Sequence, residues 1–218
     1  MNPRRLVLAA AIAAVAAFGV GAWIYTRPVP ITAAAAVSDL EAGGFVRPHS
    51  VVLGKVDAPV TITEFFDPSC EACRAFYPYV TQIMERYPDD VRLVLRYAAF
   101  HAGSDEAVKI LEAARLQDKF VPVLEALLAR QPEWAVHDGP NLDIAWEVAG
   151  TAGLNLAKAR EDVKRPGMIG VLNADRADIE TLGVTQTPTF FVNGKPLSDT
   201  SPQQLADTVA REVQSITQ

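Results

Sequence analysis

The sequence predicts an α/β domain in which a block of helices interrupts the central sheet. Three observations carry that prediction: two alternating strands with a helix between them, a helical pattern from about 103 to 182, and a hairpin followed by a last helix. The chain has 218 residues, 50% of them hydrophobic, enough for one catalytic-sized domain with an appendage and too few for two large ones. A formal charge of −6, without a long basic cluster, leaves no footprint for a polyanion, so nucleic acid is not an expected partner.

The N-terminal residues 1–26 differ from the rest. Arg4 and Arg5 precede "LVLAAAIAAVAAFGVGAWIY", residues 6–25, which carries no charge. It is long enough to cross a hydrocarbon core, which takes about 20 residues. A cleaved secretory signal and an uncleaved anchor compete here. The length and the Trp23 and Tyr25 pair at the far end favour the anchor, while "TAAAAV" at 32–37 offers small-residue cleavage sites. Under both readings the remainder is exported to an oxidising space, in the periplasm or at another extracytoplasmic face, where paired cysteines make or exchange disulfides. Residues 27–44, with two prolines, an alanine run and Gly43-Gly44, read as a linker.

The folded domain is expected at 45–218. In "APVTITEFF", Val60, Ile62, Glu64 and Phe66 share one face, which makes a strand with Glu64 on an apolar side. A helix is expected over about 69–87 and a second core strand over 91–99, where Val91, Leu93, Leu95 and Tyr97 alternate. Beyond it Ser104, Asn141 and Asn155 are candidate helix caps, and Gly139-Pro140 and Arg165-Pro166-Gly167 interrupt the helical run. "TPTFFVNGKPL", 187–197, reads as strand, Asn-Gly turn and strand. Ser201-Pro202 then opens a final helix with Leu205, Val209 and Val213 on one face.

The two cysteines of the chain, Cys70 and Cys73, sit between the first strand and its helix, where a phosphate-binding fold would place glycines. The helix start puts the first sulfur beside unpaired amides and the positive end of the dipole, which favours a thiolate. Cys70 is thus the expected attacking thiol and Cys73, one turn on, the resolving thiol. A structural disulfide closing so short a loop would gain little. A structural zinc site wants four ligands, and the remaining candidates His49, His101 and His137 are scattered.

"GKVDAPVTITEFFD", "EFFDPSCEAC" and "GVTQTPTFFVNG" together resemble the DsbA-like thiol:disulfide oxidoreductase family, a thioredoxin-like fold with an inserted helical domain, over about residues 52–213. The resemblance implies that Pro188 is a cis-proline packed against the cysteines and that Thr187 presents backbone groups to an extended substrate strand. In that family a glutamate stands six residues before the first cysteine, as Glu64 does here; it reads either as a buried acid relaying a proton to Cys73, the favoured reading, or as an edge-facing residue that finds water. No cofactor beyond the redox-active disulfide is implied. The expected partners are exported cysteine-containing clients and a membrane redox partner. Pro78 stands where many helices of this fold are kinked.

Strongly oxidising members carry Pro-His between the cysteines, whereas this chain has Glu71-Ala72. Glu71 and Asp67 then oppose the thiolate with only Arg74 against them, so a weaker oxidant is expected. Two other functions compete with exchange: a Cu(I)-handling protein using the two thiolates, and a binding module without turnover. His101 reads as a surface or hydrogen-bonded residue at a strand end, and Trp134 and Trp146 as core. Met84 and Met168 are too few for a copper-binding stripe.

Overall fold

A computed structural model of the chain describes residues 41, 43–137 and 139–216. The apolar segment at 6–25 and most of the linker lie outside the described residues. Among the described residues no helix is long and apolar enough to cross a membrane.

The sheet has five strands: β1 (Val51–Leu53), β2 (Val60–Phe66), β3 (Val91–Tyr97), β4 (Thr189–Val192) and β5 (Lys195–Pro196). Their spatial order is β1-β3-β2-β4-β5, with β2 and β3 parallel and every other neighbouring pair antiparallel. The parallel pair needs a crossover, and α1 (Glu71–Arg86) supplies it. Strand β1 carries no period strong enough to read from sequence and was not anticipated; at three residues it is a short edge on β3.

Between β3 and β4 lies the insertion, which holds six helices among the described residues: α2 (Ser104–Arg115), α3 (Phe120–Ala129), α4 (Gln131–Trp134), α5 (Leu142–Thr151), α6 (Leu156–Asp162) and α7 (Pro166–Leu182). The side chains of Asn141 and Asn155 accept N–H bonds from Ile144 and Lys158 and so cap α5 and α6. Ser104 does not act as a cap. Gly103, at φ 76°, takes that place, a left-handed conformation that glycine adopts without penalty, and a Cβ there would meet Pro140 at 2.8 Å. Ser104 instead becomes the first helical residue and donates its hydroxyl to Asp67.

The C-terminal hairpin turns at Asn193 and Gly194, both with positive φ, as a two-residue Asn-Gly turn demands. Helix α8 (Pro202–Ile216) follows and buries Leu205, Val209 and Val213. It packs with α1 against one face of the sheet.

Both faces of β2 and β3 are covered, and every residue of the two strands is buried. One face carries Val60, Ile62, Phe66, Leu93 and Leu95 into a core that continues through the cysteines and the insertion. Phe65 packs on the other face with Ile179, Val184 and Phe191, and Val94 with Val46. That second face, which simple alternation would leave to solvent, also buries Arg92 and Arg96. Arg96 is tolerable there because α7 and the segment before β1 bring partners. Its guanidinium donates to Asp175 at 2.8 Å, to Asp178 at 2.5 Å and to the Gly44 carbonyl. Gly44, at the end of the stretch read as linker, is therefore buried and packed.

Candidate active site

Cys70 is the N-cap of α1, with φ −78° and ψ 122°, and Cys73 lies within its first turn. Both are free thiols, Cys70 with 5% of its surface exposed and Cys73 with none. The Cys70 Sγ–H donates to the Thr187 carbonyl at 3.3 Å, and the Thr187–Pro188 bond between them and β4 is cis. The fold thus brings Cys70, Cys73 and Thr187 together across 117 residues of sequence.

This setting pulls the Cys70 thiol down to about 5. The hydrogen bond from the Cys73 thiol leads; burial opposes it, and Thr187 and the backbone amides of Cys73 and Ala72 add to the lowering. Cys73 moves the other way, well above an ordinary thiol, because it is buried and faces Cys70 and Glu64, although the Asp67 N–H reaches its sulfur at 3.5 Å. Cys70 gives up its proton readily and its neighbour Cys73 keeps its own. Glu64, buried on β2 on the face shared with the cysteines, is pushed up to about 8, first by burial and then by the Cys70 charge. At neutral pH this carboxyl is largely protonated and able to give a proton away.

The electrostatic reading of the flanking acids needs correction. Asp67 is completely buried and saturated by donors. Oδ1 accepts from the Ser69 N–H at 2.8 Å and the Ser104 hydroxyl, and Oδ2 from the N–H groups of Phe100 and His101 at 2.8 and 3.0 Å and from His101 Nδ1 at 2.7 Å. Its charge is spent on tying the loop before Cys70 to the loop after β3. Glu71 projects into solvent with its side chain 69% exposed, 4.0 Å from His137 Nε2, where water screens it.

One residue the sequence did not single out, Gln131, and one it did, His137, complete the site. Gln131 of α4, 1% exposed, donates through Nε2 to the Pro68 carbonyl at 2.8 Å and the Cys70 carbonyl at 3.0 Å. It fixes the turn from the far side of the insertion, 61 residues away from Cys70, and no local pattern could announce it. His137 joins His101 with ring centroids 6.1 Å apart, so two of the histidines that look scattered in sequence meet. His49 stays apart, bonded to Asp175 at 2.7 Å. Trp134 and Trp146 are core residues, and their indole N–H groups reach Leu127 and Glu106. Pro78 lies inside α1. Among the described residues no group of three or more His, Cys, Asp or Glu side chains could hold a metal ion.

Comparison with known proteins agrees with this geometry. The family described as Thioredoxin matches residues 47–211. A thioredoxin-like oxidoreductase from Silicibacter pomeroyi DSS-3 is similar at 28% identity and TM-score 0.64, covering 78% of this chain and 96% of that one. Oxidised BdbD from Bacillus subtilis superposes at TM-score 0.68 with 23% identity, covering 80% of this chain and 95% of that one. Among curated proteins, a Na(+)/H(+) antiporter NhaA 1 of Mycolicibacterium gilvum is 27% identical over 149 residues, which is 66% of this chain and 23% of that protein. The chain thus spans less than a quarter of the length of that relative.

Proposed function

The chain belongs to the thioredoxin family, with the helical insertion of its DsbA-like oxidoreductases, and from that premise we propose that it exchanges a Cys70–Cys73 disulfide with exported proteins at an extracytoplasmic face. The observation that carries this reading is the opposed tuning of the two sulfurs: Cys70 lowered to about 5 at a helix start, Cys73 raised and buried beside a protonated Glu64.

In the oxidised form a client thiolate attacks the Cys70 sulfur, and the Cys70–Cys73 bond breaks. Cys73 leaves with the electron pair and takes the proton that Glu64 holds. A second client thiol then attacks the client sulfur of the mixed disulfide. Cys70 departs as a thiolate stabilised by the amides of α1, and the client leaves oxidised. The Thr187 backbone, facing Cys70, is the edge on which an extended client segment would pair.

The Cys70 value bears on the strength of the oxidant. Thiols of about 7 and about 3.5 in related redox motifs accompany potentials of about −270 and −120 mV. A thiol at about 5 belongs between them, so the protein is a weaker oxidant than Pro-His members and a stronger one than a thioredoxin reductant. Equilibration in glutathione buffers measures this directly; a potential outside that interval overturns the assignment of strength. The exchange reading itself is tested by Cys70→Ala, which should abolish oxidation of a reduced client, and by Cys73→Ala, which should accumulate mixed disulfides through Cys70. Retained turnover by Cys70→Ala would refute it.

A further inference from the structure

The Asp67–His101 pair is not used by the exchange chemistry above, yet its geometry is that of an oriented base. Four other donors already hold the Asp67 carboxylate as an acceptor, so the 2.7 Å contact with His101 Nδ1 places the imidazole proton on that nitrogen. Nε2 is left with its lone pair and makes no hydrogen bond among the described residues. His101 is only partly covered, with 34% of its side chain exposed.

His101 opens on a cleft of about 50 Å³ lined by Ser69, Ala102, Ala135, Val136 and His137 as well. Ser69 immediately precedes Cys70, and its buried hydroxyl has no hydrogen-bond partner among the described residues. The titratable groups facing the imidazole are Asp67 behind it and His137 across the cleft, with Glu71 beyond His137. A group entering this cleft meets the free nitrogen of His101 and Ser69, the residue immediately before Cys70 in the chain.

We propose that His101, held by Asp67, is the base that removes the proton from an incoming client thiol in the cleft bordered by Ser69, at the turn that carries Cys70. The inference deepens the exchange reading and rests on it. The proton of the client S–H passes to His101 Nε2, giving an imidazolium paired with Asp67. The freed sulfur attacks Cys70 of the Cys70–Cys73 disulfide, and the electron pair of the broken S–S bond goes to Cys73, which is protonated by Glu64. His101 therefore serves the entering thiol as Glu64 serves the leaving one.

The size of the effect is bounded. A cysteine thiol near 8.5 is only about 3% ionised at pH 7, so a base can accelerate its attack by at most about 30-fold. It can do nothing for a thiol that is already ionised. The test compares oxidised wild-type protein and His101→Gln in their first-step reaction with two probes at pH 7: a single-cysteine peptide and thionitrobenzoate, which is ionised there.

The expected result is a loss of about ten- to thirtyfold with the peptide, no change with thionitrobenzoate, and recovery of the peptide rate when free imidazole is added to His101→Gly. Equal slowing of both probes, or of neither, overturns the base role while leaving exchange intact. Failure of the wild type to react with either probe overturns the exchange reading and this inference with it. The solvent deuterium isotope effect on the wild type should be larger with the peptide than with thionitrobenzoate, whose reaction carries only the Glu64 proton transfer; equal effects overturn the proposal.

Discussion

Two buried carboxylates on opposite faces of the sheet have been pushed in opposite directions. Asp178 on α7 is held down to about 2, first by its bond to Arg47, with burial opposing and Arg96 adding to the lowering. Glu64 on β2 is pushed up to about 8, because burial is answered by no cation among the described residues and the Cys70 charge adds to the rise. The first face carries an ion network in which Arg47, Arg96, Asp175 and Asp178 satisfy one another, with His49 bonded to Asp175. The second brings together an acid, two thiols and a saturated Asp67. Compensation is what makes the first face structural, and its absence is what leaves Glu64 and Cys70 poised to react.

Breaking the compensated face should have the largest consequence for stability. Arg96→Met keeps most of the stem and strands Asp175 and Asp178 without their buried cation. A loss of about 3–5 kcal/mol is expected in denaturant unfolding. A loss below about 1 kcal/mol would place the network's weight elsewhere.

The uncompensated face should show itself through pH. Glu64 has a raised folded value, so its contribution is present below the unfolded value of 4.5 and is lost as pH climbs through about 8. Cys70 has a lowered one, so its contribution is present above 9.0 and is lost as pH falls through about 5. Over pH 5–8 the two slopes oppose each other, and the reduced wild type should have a nearly flat stability profile. Glu64→Gln should unmask a stability that rises with pH, and Cys70→Ser one that falls. Each slope should span a few kcal/mol, since one pKa unit corresponds to about 1.36 kcal/mol. Urea midpoints at pH 5, 6.5 and 8 for the three proteins check the signs.

A smaller effect tests whether the insertion tunes the site. Gln131→Leu leaves the Pro68 carbonyl without its donor and frees the Cys70 carbonyl from one of two, the other being the Arg74 N–H of α1. About 1–3 kcal/mol of stability should go, together with an upward move of the Cys70 alkylation midpoint. An unmoved midpoint would make Gln131 a packing residue only. The smallest expected effect is that of Asn141→Ala, remote from both faces, which should cost about 1 kcal/mol through the lost α5 cap and leave the alkylation midpoint where it was.

The contrast between the faces also marks what the sequence could disclose. Alternation in 60–66 and 91–97 places the strands, and Cys70 and Cys73 fall at the helix start because strand periodicity gives way to a helix there. The Asn-Gly turn and the Asn141 and Asn155 caps are local chemistry and were readable. What stayed hidden was every partner brought from far away: Asp175 and Asp178 for Arg96, Gln131 for the Cys70 turn, and the donors that saturate Asp67. Asp67 was read as a charge opposing the thiolate because its five donors come from residues 69, 100, 101 and 104, assembled only when α2 docks after β3. Strand β1 was missed because three residues on an edge carry too little period.

The ion network has a mechanical meaning as well. The stretch 44–49 is gripped at three places, through the Gly44 carbonyl, the Arg47 guanidinium and the His49 ring, each fastened to Arg96, Asp175 or Asp178. Traction on the chain ahead of residue 44 therefore meets several polar bonds loaded side by side before it can peel β1 from β3. Through Arg96 that load is passed to β3, an interior strand of the sheet, and through Asp175 and Asp178 to α7. The turn that holds Cys70 is not one of the points gripped; it meets the loaded strand only through the pairing of β2 with β3 and the bonds of Asp67 to the loop after β3.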